Sequence, residues 1–202
     1  TKQQYLAEAA KLEGVYIPAF YTHTYGPDGA LTAITPAPGA PETVRKRIVQ
    51  DLDTAYYPAK TIVPSTEIVH DRSNLEVMRG CIRGCRFCQA GFCYRPVRPR
   101  SAATLLRQAK EMLLDSGNHE ITLSSLSTSD YKQLEPLTSD LLDFCTPRKI
   151  NISLPSLRAD NFSDSLMQKL QKVRKSGLTF APEAGTQRLR DVINKNVTEE
   201  EI

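Results

Sequence analysis

From residue 71 onward the chain alternates short apolar segments with stretches of helical period, four times over, and this rhythm limits the fold more than any other feature. Residues 74–78 read as a strand. Ser101 caps a helix with apolar residues at 102, 105, 106, 109, 112 and 113, a 3.6-residue period ended by Gly117. A second strand is expected over 119–123, and Leu134, Leu137, Leu141 and Leu142 mark the helix after it. A third strand falls at 149–154, followed by a helix capped by Ser163, carrying Leu166, Met167, Leu170 and Val173, and stopped by Gly177. A fourth strand is expected over 178–181, then a helix around Leu189, Val192 and Ile193. Such alternation demands parallel strands joined by right-handed crossovers, in either a (β/α) barrel or an open doubly wound sheet. The chain reads as a cut piece: it starts at Thr1 and stops where Thr198 and Glu201 spell the capping box that opens a helix. The expectation is therefore α/β, a partial (β/α) barrel truncated after about four strands. In either geometry, ligands bind at the carboxyl ends of the strands.

Residues 1–70 differ in style. Tyr5, Leu6, Ala9 and Leu12 sit at the spacing of a short amphipathic helix with Gly14 as its stop. An apolar run over 15–21, a Gly26-Pro27-Asp28-Gly29 turn and a returning strand over 31–34 follow. A proline-rich connection (Pro36, Pro38, Pro41) leads to a polar helix expected over 43–56. This region is read as a small α+β lead-in, or a linker behind a missing N-terminal domain; residues 71–202 form the second domain.

No apolar run reaches the eighteen or so residues of a membrane span, and no secretion signal opens the chain, so a cytoplasmic protein with no membrane partner is expected. A net charge of +3 says little by itself, but its distribution is uneven. Between Arg79 and Lys110 there are seven arginines, one lysine and no acidic residue. That stretch is either a solvated basic loop or an electropositive floor for anions.

Within it lies Arg79-Gly80-Cys81-Ile82-Arg83-Gly84-Cys85-Arg86-Phe87-Cys88-Gln89-Ala90-Gly91, three thiols in eight residues just past a strand. Arginines favour the thiolates that ligation needs, and the glycines let backbone wrap a bulky cluster. Three alternatives stand at this point. Unrelated buried cysteines are one. Structural zinc or a fully ligated cluster, with Cys93 as fourth ligand, is another. The third is an iron–sulfur cluster with three protein ligands and one open iron.

The pattern Cys-x-x-x-Cys-x-aromatic-Cys, with Phe87 as the aromatic, resembles the signature of radical S-adenosylmethionine (radical SAM) enzymes. The resemblance implies that Cys81, Cys85 and Cys88 hold a [4Fe-4S] cluster whose open iron chelates the amino and carboxylate groups of S-adenosylmethionine. An electron from the cluster then splits the sulfonium, giving methionine and a 5′-deoxyadenosyl radical. Phe87 is implied to pack near the adenine. On this resemblance the barrel is of the radical SAM type, and residues 71–202 form the N-terminal part of its core.

The later strand ends extend the match. After the second expected strand, Ser124 or Ser125, with backbone carbonyls, stands where the family contacts the methionine amino group; each is equally a polar turn or cap residue. This chain lacks the family's frequent Gly-Gly-Glu there. After the third, the stretch from Ser153 to Arg158 offers a guanidinium for the methionine carboxylate, or a surface salt bridge. After the fourth, Glu183 lies in a stretch that looks like the Glu-Ser-Gly-Ser segment of radical enzymes related to methylthiotransferases and cobalamin-dependent methylases. It would bind the ribose hydroxyls, or cap the following helix.

The phrases Val15-Tyr16-Ile17-Pro18, His70-Asp71-Arg72 and Tyr94-Arg95-Pro96-Val97-Arg98 resemble those of uncharacterised cobalamin-binding-type radical SAM proteins. Cobalamin is implied only through a preceding domain, since the Asp-x-His-x-x-Gly cobalt-ligand motif is absent from this sequence. The implied function is reductive cleavage of S-adenosylmethionine for radical chemistry or radical methyl transfer, with an electron donor such as flavodoxin or ferredoxin. The arginines make RNA or a nucleotide a candidate substrate, although no stacking-aromatic pattern supports sequence reading. The alternative is a non-catalytic zinc or iron–sulfur module that binds nucleic acid. Cys145 reads as a core residue, and His23, His70 and His119 are assigned no role.

Overall fold

The computed structural model describes residues 1–161, 164–170, 173 and 179–202. It divides into two compact units, Thr1–Val49 and Gln50–Ile202.

The first unit opens with helix α1 (Lys2–Ala9), none of whose residues is buried. Its expected apolar stripe is only partly covered: Leu6 and Ala9 are half-buried, and Tyr5 is 74% exposed. Strands β1 (Tyr21–Tyr25) and β2 (Leu31–Pro36) form the anticipated antiparallel hairpin. The turn between them closes through Gly29 N–H to Gly26 O at 3.0 Å, with Gly29 at φ +76° and the Asp28 carboxylate accepting from Ala30 N–H at 3.1 Å. The polar helix expected over 43–56 does not form; this stretch is irregular. Thr43, Val44, Ile48 and Val49 are β-branched and disfavour helix, and Asp51 turns its side chain onto Asp53 N–H at 2.9 Å, offering the backbone a non-helical partner.

The second unit is built on strand β3 (Ser73–Glu76), a two-residue ladder of β4 (Met78–Arg79) with β5 (Arg98–Pro99), and helices α2 (Gln89–Cys93) and α3 (Ala102–Ser116). Strand β6 (Glu120–Ser124), helix α4 (Leu134–Cys145), strand β7 (Asn151–Ser153) and helices α5 (Asp164–Leu170) and α6 (Gln187–Val192) follow. Strands β3, β6 and β7 make a three-stranded parallel sheet in that order. The strand expected over 74–78 is split. β3 stops at Glu76, and Met78 belongs to the ladder with β5, because Arg100 N–H bonds Val77 O at 3.0 Å and draws the 98–100 segment alongside.

The expected fourth strand begins at Leu178, outside the described residues, and positions 179–181 carry no strand. The Ser163 cap and the Gly177 stop also lie outside them. What stands is an α/β unit with a parallel sheet.

Alternation along the strands sorts their side chains by face. The register pairs Leu75 with Leu123 and Ile121 with Ile152, so these four share one face, and they belong to the core with Leu105, Ala109, Met112, Leu137 and Leu141 of α3 and α4. The other face carries Asn74, Glu76, Thr122, Ser124, Asn151 and Ser153. On it the Thr122 Oγ1 and Asn151 Oδ1 atoms are buried with no hydrogen-bond partner among the described residues. Helix α3 has the caps its sequence announces: Ser101 Oγ accepts from Thr104 N–H at 3.2 Å, and Gly117 takes the left-handed conformation at φ +71°. Cys145 is fully buried, and burial pushes its thiol up to about 11. Leu137 is also fully buried, so Leu137→Ala should cost about 2–5 kcal/mol, read as a lower denaturant midpoint with unchanged slope.

Candidate functional site at the carboxyl ends of the parallel strands

The cysteine segment runs from β4 into α2, five residues beyond the end of β3. Cys81 and Cys85 are buried, Cys88 is half-buried and Cys93 is exposed. Two thiols accept backbone amides: Arg83 N–H points to Cys81 Sγ and Gly91 N–H to Cys88 Sγ, both at 3.4 Å. Cys88 thereby acts as the N-cap of α2. Gly80 sits at φ +83° where a Cβ would lie 2.6 Å from Tyr94 O and 2.8 Å from Pro96 O. Only glycine lets the 94–97 segment approach the start of the loop so closely.

Among the described residues, no group of three or more His, Cys, Asp or Glu side chains is gathered closely enough to hold a metal, the three cysteines included. The donor chemistry nonetheless fits an iron–sulfur cluster: three thiols on one glycine-containing loop, with amide donors aimed at two of them. The three histidines are dispersed along the chain. His23 lies in the exposed hairpin, His70 bonds Arg72 at 2.8 Å, and His119 precedes β6.

Sequence reasoning passed over the ion pairs that surround the loop. Arg83 grips Asp130, after β6, through Nε at 2.9 Å and Nη2 at 2.5 Å, and reaches Asp160, after β7, through Nη1 at 3.0 Å. The Asp130 side chain is 3% exposed. Burial pushes its carboxyl up, but the hydrogen bond from Arg83, that from Ser127, the Arg83 charge and the Asn161 amide together hold it below the ordinary carboxylate range. The available signal was indirect: an arginine between two cysteines, and acids shortly after each later strand.

Of the residues predicted from sequence, Phe87 is 54% exposed, directly before Cys88. Ser124 ends β6, half-buried, and its carbonyl accepts Val77 N–H at 3.0 Å. Ser125 Oγ lies 3.0 Å from Thr128 Oγ1 and accepts Ser127 N–H at 3.2 Å, so its hydroxyl serves a local turn. Ser153 ends β7, in register with Thr122. Arg158 is buried, with Nε and Nη2 on Asp160 at 2.8 and 2.9 Å and Nη2 also on Lys195 O at 2.6 Å. Glu183 is exposed at φ +66° and accepts from Lys195 Nζ at 3.4 Å. Arg158 and Lys195 line a cavity of about 410 Å³ together with Met167, Phe180, Pro182 and Val197.

The chain after α6 closes over the cysteine loop. Arg86 N–H donates to Ile193 O at 2.9 Å, the Arg86 guanidinium donates to Val192 O, and Asn194 Nδ2 donates to Gly84 O at 2.8 Å. Arg190, 1% exposed, organises that segment by donating to Ala184 O at 3.1 Å and Val197 O at 2.8 Å and pairing with Glu199. The Thr198–Glu201 capping pair forms in both directions, at 2.7 and 3.2 Å.

Asp53 and Glu76 share the behaviour of Asp130. Burial raises both, but hydrogen bonds from Ser101 to Asp53, and from Arg79 and Arg100 to Glu76, hold them below their ordinary values. A carboxyl lowered on folding stabilises fully above its unfolded value, about pH 4, and that contribution drains away as pH falls through the lowered folded value. Denaturant midpoints should therefore fall below about pH 4, and less steeply in Asp130→Asn.

Among the described residues no helix is long and apolar enough to cross a membrane. The uncharacterized protein MJ0966 of Methanocaldococcus jannaschii is 34% identical over 166 residues, which cover 78% of this chain and 36% of that protein. The chain thus spans about a third of the length of that relative. The Radical SAM superfamily profile matches residues 75–202, a stretch that begins within β3 and holds the rest of the parallel sheet, the three-cysteine loop and the segment closing over it. With the match covering well over half of the sequence, the chain belongs to the radical SAM superfamily.

Proposed function

We propose that this chain carries the N-terminal part of the core of a radical SAM enzyme in which Cys81, Cys85 and Cys88 hold a [4Fe-4S] cluster with one iron open to S-adenosylmethionine. When bound and reduced, the cluster supplies the electron that splits the sulfonium into methionine and a 5′-deoxyadenosyl radical, for radical chemistry or radical methyl transfer on a substrate. The supporting observation is that Arg83, inside the cysteine loop, bonds Asp130 and Asp160, which follow the two other parallel strands. Those bonds tie the cysteine loop to the segments at the carboxyl ends of the strands, where α/β folds bind ligands.

The chain's own part is to bind and orient. Phe87, exposed beside Cys88, is assigned to the adenine. Ser124, with Ser125 and the carbonyls around them, is assigned to the methionine amino group, and Ser153 to the same rim. Arg158 is assigned to the methionine carboxylate. Its Nε and Nη2 already serve Asp160, which leaves Nη1 for a ligand unless the carboxylate displaces Asp160. Glu183, held in a left-handed conformation beside Lys195, is assigned to the ribose hydroxyls. The electron donor is of the flavodoxin or ferredoxin type, the substrate is left unassigned, and RNA or a nucleotide is one candidate on the charge of the 79–110 stretch.

The test is anaerobic reconstitution of the chain with iron and sulfide, followed by dithionite and S-adenosylmethionine. Formation of 5′-deoxyadenosine supports the proposal. Tight zinc binding, with no iron incorporation and no cleavage, would overturn it in favour of a structural metal module.

A further inference from the structure

The hydrogen bonds around the cysteine loop close on themselves. Arg83 donates to Asp160 at 3.0 Å, and Asp160 accepts from Arg158 at 2.8 and 2.9 Å. Arg158 in turn donates to Lys195 O at 2.6 Å, and the neighbouring Asn194 donates through Nδ2 to Gly84 O at 2.8 Å. The circuit leaves the loop at Arg83 and returns one residue later. Asp130 adds a brace to the turn after β6, where Asn161 Nδ2 also reaches it at 3.3 Å. The two arginines and two aspartates balance in charge. Asp130 and Asp160 have side chains only 3% and 9% exposed, so the pairs are shielded from the screening that weakens surface ion pairs.

Asn194 is suited to its place. It holds φ +57°, a conformation asparagine tolerates better than most residues, and its side chain occupies the space a Cβ on Gly84 would enter, 3.0 Å away. Arg83 and Gly84 are two of the three residues between the two buried cysteines, whereas Cys88 lies outside the ring and is itself the N-cap of α2.

We infer that this closed ring is a clamp that holds the Cys81–Cys85 turn in place, with Arg83 and Asn194 as its two positioning residues. The clamp takes its catalytic meaning from the cluster proposed above, but its bonds are made by the chain's own residues and are testable without the cluster. Two places on one circuit, far apart in sequence, should give the same phenotype when cut.

The experiment is iodoacetamide labelling of the metal-free, reduced chain under native conditions, with each cysteine followed by mass spectrometry. Arg83→Gln removes the guanidinium fork; Asn194→Gly removes the amide while keeping a residue at ease at positive φ. Each variant should raise labelling at Cys81 and Cys85 about tenfold or more, and leave Cys88 and the core thiol Cys145 within about twofold of the parent. Should Arg83→Gln fail to fold, Asn194→Gly carries the comparison. Unchanged labelling at Cys81 and Cys85 would overturn the inference, and so would equal acceleration at Cys145, which marks general loosening.

Reconstituted protein supplies a second readout. Arg83→Gln should retain iron but lose most of the change in the cluster's EPR signal that S-adenosylmethionine causes in the parent. A parent that builds no cluster defeats the proposed function and leaves the labelling result standing.

Discussion

Cys85→Ala should prevent assembly of the cluster and lower S-adenosylmethionine cleavage by more than about a hundredfold, since even outer-shell partners of metal ligands cost 10–100-fold when removed. Cys81→Ala and Cys88→Ala should do the same. Cys93→Ala, by contrast, should leave iron content and 5′-deoxyadenosine formation within about twofold of the parent. The contrast follows from placement. Cys81 and Cys85 are buried beside the strand ends, and Cys88 faces the amide of Gly91, whereas Cys93 is exposed at the far end of α2. Iron and sulfide analysis, with chromatography of the cleavage product, reads both arms. Loss of iron in Cys93→Ala would give the site four thiols and no vacancy.

The second large effect is expected at Gly80. At φ +83° an L side chain costs roughly 1–2 kcal/mol, and its Cβ would press on the carbonyl oxygens of Tyr94 and Pro96 at 2.6 and 2.8 Å. Both obstacles are backbone atoms, so relief means prising the 94–97 segment away from the loop. Gly80→Ala should destabilise the chain by about 3 kcal/mol or more and reduce iron incorporation in parallel. Gly29→Ala is the control. It shares the positive φ, at +76°, but a Cβ there meets nothing within 4 Å, so only the conformational cost should appear in its denaturant midpoint.

How much of this was legible in the sequence depends on whether the signal was local. The caps and period of α3 were, because Ser101, Gly117 and the apolar spacing act within one helix. The hairpin was, through its Gly26–Gly29 turn. The parallel arrangement of β3, β6 and β7 followed from alternation, and the cysteine spacing led to the family. The irregular 43–56 stretch was misread because its polar residues mimic a helix surface while its β-branched residues and aspartates oppose one. The split after Glu76 was hidden because it depends on Arg100, twenty-four residues on, whose Nη1 also bonds Leu52 O at 2.8 Å. The ring through Arg83, Asp160, Arg158 and Asn194 was hidden for the same reason: its closing bond spans 110 residues. Asp160 and Asn194 look like ordinary surface residues in the sequence, Arg83 and Arg158 were read for other roles, and only the fold brings the four to one loop.

The central claim is a cluster with three thiolate ligands and one iron left open, and Mössbauer spectroscopy of the chain reconstituted with iron-57 tests it most directly. The account predicts that one iron of the four differs from the rest and shifts when S-adenosylmethionine is added. Four equivalent irons that ignore S-adenosylmethionine would contradict it.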